Sequence, residues 1–135
     1  MAERPDAYIG LRRFLLEGGW QVFVGRTDED NDILTLKIAA PRDLWFHVKG
    51  MPGSHVILHH PVKTDPVPAL VKQAAAIAAY YSKFRKGGIV PVICAEARHV
   101  SKPDRAKPGT VHVRKERIIK VRPGLPEDHP AGNGS

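Results

Sequence analysis

Leu44, Phe46 and Val48 alternate with Trp45, His47 and Lys49. A period of two is that of a strand, here with one aliphatic face and one carrying an indole, an imidazole and an ammonium. Leu34, Leu36 and Ile38 alternate in the same way with Ile33, Thr35 and Lys37, which predicts a second strand over Ile33 to Ala39. Leu11 to Leu16 and Trp20 to Arg26 read as two strands around Gly18-Gly19, with a short helix as the alternative for the first. Ser54 to His60, Ile89 to Ala95, Thr110 to Arg114 and Arg117 to Arg122 add further strands, and Pro91 marks its strand as an edge or an irregular one. The helical period appears once. Leu70, Ala74, Ile77, Ala78 and Tyr81 form one stripe of a helix capped by Thr64 or Asp65, with Pro66 and Pro68 in its first turn, running to about Arg85 and stopped by Gly87-Gly88. Met51-Pro52-Gly53-Ser54 predicts a type II turn with Gly53 at positive φ. The fold expected is α+β: a single strand-rich domain with one main Ala-rich helix packed on a mostly antiparallel sheet.

Composition supports a single folded domain, expected over residues 11–123 between an N-terminal segment, 1–10, and a flexible tail, 124–135. The 135 residues are 42% hydrophobic and 26% charged, and a chain of this size buries enough surface to fold without staples. One cysteine, Cys94, cannot form an internal disulfide, and it sits in an apolar strand where packing is its expected role. Neither a signal-peptide pattern nor a membrane-length apolar run is present, so a cytoplasmic protein without membrane contact is expected.

Charge changes this picture more than composition does. Lys and Arg total 21 against 14 acidic residues, a net +7, which points to a polyanionic partner. The acidic residues gather at Asp28, Glu29, Asp30 and Asp32. The basic ones gather at the C-terminal end, where Arg98, Lys102, Arg105, Lys107, Arg114, Lys115, Arg117, Lys120 and Arg122 face only Asp104 and Glu116.

Walker, dinucleotide-binding, HExxH and CxxC motifs are absent. His55, His59 and His60 lack the cysteines and the common strand face that a zinc set needs, and Ser54, His55 and Asp43 lack an elbow motif, so neither a metal nor a cofactor is expected. The Trp45, His47 and Lys49 face is more informative: aromatic rings stack unpaired bases while cations neutralise phosphates. The turn at Pro52, Gly53 and Ser54 offers backbone amides beside Lys49, and Val100 to Gly109 is a cationic loop stiffened by Pro103 and Pro108.

Asp43-Leu44-Trp45-Phe46-His47-Val48-Lys49 followed by Pro52-Gly53-Ser54-His55-Val56-Ile57 closely resembles the NFACT-R domain. Gly25-Arg26 with Asn31-Asp32, the alanine-rich Ala74 to Ser82, and Val100 with Lys102-Pro103 and Ala106 to Gly109 resemble three more blocks of that family, in the same order, so the likeness runs from Arg12 to Pro123. The resemblance implies an RNA-binding domain of the kind that ends large ribosome-quality-control factors, which bind the obstructed large subunit and tRNA and direct C-terminal tailing of stalled chains. Those factors also carry an NFACT-N domain, a helix-hairpin-helix unit and a coiled coil, so a stand-alone NFACT-R protein is expected here, without tailing activity of its own. Asp30, where the family often has glutamine, and Cys94, where an aromatic residue is common, depart from the pattern.

The first functional reading is therefore a non-catalytic module binding tRNA or ribosomal RNA, with the large ribosomal subunit as a wider partner. Its expected contact residues are Arg26, Asn31, Asp43, Trp45, His47, Lys49, Pro52, Gly53, Ser54, His55, Lys102 and Lys107. The rival reading is an RNA-processing or RNA-modifying enzyme in which Asp43, His47 and His55 do acid–base work. A DNA-binding or protein-interaction domain is a third, because phosphate contacts alone do not separate RNA from DNA.

Overall fold

The computed structural model describes residues 11–126. Its centre is a six-stranded, wholly antiparallel sheet in the order β1-β2-β4-β3-β5-β8. These strands are β1 (Arg12–Leu15), β2 (Gln21–Val24), β3 (Leu44–Val48), β4 (Val56–His59), β5 (Val90–Glu96) and β8 (Arg117–Val121), and a separate ribbon pairs β6 (Val100–Ser101) with β7 (His112–Val113). Two helices complete the fold, α1 (Asp28–Ile33) and α2 (Pro68–Tyr80). The α+β architecture with one main alanine-rich helix is the one the sequence pattern predicts.

The sheet is the middle of three layers, and alternation along its strands divides the core. Val22, Val24, Phe46, Val48, Val56, Leu58, Val92 and Cys94 point to α2, where Ala74 to Ala79 are all buried. Without side chains beyond Cβ, these alanines let the helix backbone lie close to the strands. Phe23, Trp45 and Ile57 are cross-strand neighbours on the other face, where Leu34, Ile38 and Val100 cover them.

Four local expectations are corrected. The segment Ile33 to Ala39 is not a strand: α1 continues into a π-helical turn, Leu34–Ile38, closed by Ala39 N–H donating to the Leu34 carbonyl at 2.9 Å. Thr27 caps α1 through its hydroxyl, which accepts from Asp30 N–H at 3.0 Å, and the acidic first turn suits the helix N-terminus. The buried positions are 34, 35 and 38, a helical spacing, while Leu36 is exposed.

α2 begins after Val67, with no side-chain cap from Thr64 or Asp65, and ends at Tyr80 rather than near Arg85. There the Ser82 hydroxyl donates to the Ala79 carbonyl and accepts from Phe84 N–H, diverting the chain. β5 is interior despite Pro91. The Pro91 carbonyl accepts from Lys49 N–H just past the end of β3, so the missing proline N–H falls where that ladder stops. Gly53 in the turn does not have positive φ; Gly50, just ahead of it, does, at 81°. Gly53 answers a different need, since a Cβ there would lie 2.9 Å from Ser82 Cβ and 3.1 Å from Val48 Cγ2.

Of the expected tail, Gly124 donates to the Ala76 carbonyl and Leu125 packs on the α2-side core. Residues 127–135 of the tail and residues 1–10 lie outside the described residues. No helix among the described residues is long and apolar enough to cross a membrane.

Candidate nucleic-acid interface

The motif face of β3 is roofed. Trp45 is 2% exposed beneath the π-turn, and its Nε1 has no hydrogen-bond partner. The half-buried His47 ring stacks on Trp45 with centroids 5.9 Å apart, and His55 meets both rings edge-on at 5.2 and 5.5 Å. Trp45 is thus covered by the π-turn layer, on the face of the sheet away from the alanine-rich helix. The ring is core, and no base can stack on it while the roof is in place.

His55 is buried and held at both nitrogens, by Thr35 Oγ1 at 2.8 Å and the Gly109 carbonyl at 3.1 Å. Burial, with a further contribution from His47, lowers its pKa to about 4, against the opposing Gly109 bond. Burial also lowers that of His47, while bonds to the backbone of Val48 and Gly53 act the other way. Asn31 is buried too: its Oδ1 accepts from His55 N–H at 3.0 Å and fills the place of a Gly25 side chain, 2.0 Å from where a Cβ would stand. His55 and Asn31 therefore hold the fold beneath the surface.

The Lys-Pro loop is fastened down in the same region. Lys102 Nζ donates to Asp32 Oδ2 at 2.9 Å and to the Lys107 carbonyl, while Asp32 Oδ1 accepts from Gly109 N–H at 2.9 Å. Lys102 is spent on shaping the loop, whereas Arg105 and Lys107 in the loop, and Lys49, are exposed.

Asp43 is brought to neither His47 nor His55. It is buried and paired with His59, whose Nδ1 lies 2.8 Å from Asp43 Oδ1. His47 lies four residues further along extended chain, roughly 13 Å away. His47 and His55 do come together, without the carboxylate meant to orient them. Among the described residues no cluster of His, Cys, Asp and Glu is arranged to hold a metal ion.

The open basic site lies beside these motifs. A cleft of ≈ 410 Å³ is lined by the Pro52-Gly53-Ser54 turn, the end of α2 and the start of α1, and four cations, Arg12, Arg26, Lys83 and Arg85, line it. The turn is bonded to the helix end, Ser54 N–H to the Tyr81 carbonyl at 3.0 Å and Lys83 N–H to the Pro52 carbonyl at 3.3 Å. The Arg12 guanidinium lies 4.8 Å from the Tyr81 ring centre, and that of Arg85 lies 4.1 Å from Tyr80 and 5.8 Å from Tyr81. Aromatic faces hold the guanidiniums without neutralising them. Of the expected contact residues, Arg26, Asn31, Pro52, Gly53 and Ser54 line this cleft; Arg12, Tyr81, Lys83 and Arg85 were not anticipated. The signal for Tyr81, Lys83 and Arg85 was the density of tyrosine, lysine and arginine in Tyr80 to Lys86, which the helical stripe masked; Arg12 had none.

Over residues 11–115 the sequence matches the family described as NFACT protein RNA binding domain. The chain belongs to that family. This NFACT RNA-binding domain is 39% identical over 113 residues to the Rqc2 homolog RqcH of Bacillus subtilis, covering 84% of this chain and 19% of that protein. Its likeness to the Rqc2 homolog RqcH of Streptococcus suis is 36% over 121 residues, covering 90% and 21%. The C-terminal part of the fibronectin/fibrinogen-binding protein from Streptococcus suis, a solved structure, matches with a TM-score of 0.79 and 38% identity over 84% of this chain and 46% of that one. The chain thus spans about a fifth of the length of these curated relatives.

Proposed function

We propose that this chain is an RNA-binding module that engages tRNA or ribosomal RNA in ribosome quality control, and that the cationic cleft is where it grips the phosphate backbone. Membership of a family of RNA-binding domains, and likeness to Rqc2 homologs, support the class of partner. The observation that carries the site is the convergence of Arg12, Arg26, Lys83 and Arg85 on one open cleft. Guanidiniums resting on tyrosine rings reach a phosphate with less loss of freedom than mobile ones. Lys107 and Lys49 extend the positive surface, and the buried Trp45, His55 and Asn31 brace it from below.

The test is fluorescence anisotropy with a tRNA transcript and an unstructured RNA, at 50 and 200 mM salt. Four phosphate contacts on a single strand should weaken binding about fiftyfold over that range. Arg12→Glu with Arg85→Glu should weaken it further at low salt. Affinity indifferent to both salt and the double variant sinks the cleft as the site. Tighter binding of the transcript than of the unstructured strand marks tRNA as the partner.

A further inference from the structure

A second cavity, of ≈ 330 Å³, opens at the opposite end of the sheet, where β2 and β3 begin and β4 ends. Ser54 in the cationic cleft and His59 in this cavity are separated by five residues of extended chain, roughly 17 Å. Trp20, Leu44, Leu58, Pro61 and Val62 supply apolar wall, and the buried Asp43–His59 pair also lines it.

The hydrogen bonds of this pair leave one atom unused. Asp43 Oδ2 accepts from Ala40 N–H at 2.8 Å, and Asp43 Oδ1 faces His59 Nδ1 at 2.8 Å. A carboxylate that accepts at both oxygens places the hydrogen of the neutral ring on Nδ1 and the lone pair on Nε2. His59 Nε2 has no hydrogen bond to any described group. It is also not among the sealed polar atoms without partners, which are Trp45 Nε1 and Gln73 Oε1. Nε2 is thus an accessible, unused acceptor on a buried residue that lines the cavity.

The neighbouring His60 plays a different part. Its Nε2 donates to the Gly18 carbonyl at 2.9 Å, its Nδ1 accepts from Val62 N–H at 3.0 Å, and its ring stands edge-on to Trp20 at 4.9 Å. His60 is wall. At the rim, Arg42 pairs with Asp65 and Glu96 with Arg98, which among the described residues leaves the exposed Lys63 as the single unpaired charge at the entrance. A neutral ligand fits that balance better than an ionic one.

We infer that this cavity binds a nucleobase through a ring N–H that donates to His59 Nε2. Apolar wall that includes the Trp20 indole, beside the unused His59 acceptor, is complementary to a neutral heterocycle that carries such a donor, and the volume lies within the range of small-molecule sites. Uracil and guanine present an imino N–H at neutral pH, whereas cytosine does not. Asp43 is a positioning residue, holding the ring in the tautomer that accepts. The base can come from a free nucleoside or from an unpaired position in RNA.

The experiment is an NMR titration following the ¹⁵N resonance of His59 Nε2 and the indole signal of Trp20. Uridine or guanosine at millimolar concentration should displace both, whereas cytidine and N3-methyluridine should bind at least tenfold more weakly. Displacement by oligouridylate alone assigns the site to bases presented by RNA; displacement by nucleosides as well assigns it to the free base too. His59→Phe, read at Trp20, should lose at least tenfold in affinity, and if that variant does not fold the N3-methyl comparison in the native protein decides. No displacement by uridine, guanosine or oligouridylate, or an equal response to N3-methyluridine, overturns the inference. Uridine binding should survive Arg12→Glu with Arg85→Glu, so failure of the cationic cleft and failure of this cavity are read separately.

Discussion

The two ends of the sheet are built on opposite plans. At the end that carries the Pro52-Gly53-Ser54 turn, four cations stand open to solvent and the buried layer beneath them is uncharged. At the other end, all rim charges but Lys63 are paired, and an unused polar atom is a single imidazole nitrogen at a buried Asp–His pair. Open unpaired cations suit a partner of high charge and little shape, while a closed acceptor suits one of defined shape and no charge. The net +7 of the chain says nothing of this division, because it sums over both ends.

Acid should break the comparison most strongly. His55 braces the cationic end in its neutral form, with a pKa of about 4 in the fold against 6.5 for the free side chain. The unfolded chain therefore takes up the proton first. Stability is complete above pH 6.5 and falls as pH drops towards 4, by about 3 kcal/mol from this group. Urea midpoints measured from pH 7 to pH 4 test this, and a His55→Gln variant with the same pH slope would refute it.

Gly25→Ala attacks the same brace from the backbone. A Cβ there must displace Asn31 Oδ1, and with it the bond to His55 N–H, at a cost of about 2.5 kcal/mol in denaturant unfolding. Reversing Arg12 and Arg85 to Glu should lower RNA affinity about thirtyfold, roughly 2 kcal/mol, with a change in stability of about 1 kcal/mol or less. At the far end, Asp43→Asn leaves one acceptor for two donors, His59 Nδ1–H and Ala40 N–H, so one of the two bonds is lost at a cost of about 2 kcal/mol. Lys63→Glu, on the rim of the second cavity, is the smallest: RNA affinity should stay within about twofold, and a larger loss would mean that the polyanion spans both ends.

Much of the frame was legible because it is local. β3 follows from alternation, β4 from a short apolar run after the Pro52-Gly53 turn, and the stripe from Leu70 to Ala78 places α2 on the sheet. Illegible parts depend on what meets what. Leu34, Leu36 and Ile38 alternate by coincidence, since the burial that matters is of 34, 35 and 38 in a π-turn. The pattern put Trp45 on the face opposite Phe46, but its cover is assembled from Leu34, Ile38 and Val100, distant segments that no local period connects. Asp43 looked like a partner for His47 because they are close in sequence, whereas the sheet gives it His59. Arg12 reaches Tyr81 only because β1 and the end of α2 converge in space.

The clasp made by Lys102, Asp32 and Gly109 joins positions 70 and 77 residues apart, and the Gly109 carbonyl ties a third site, His55. Contacts of such separation form late in folding, because α1 and β4 must be in place before the loop has anything to close on. The same dependence runs in reverse. The loop can detach while the six strands stay paired, a partial opening cheaper than unfolding the whole domain. Deuterium uptake at Gly109 N–H, faster than at Val56 to His59, is the direct record of that opening.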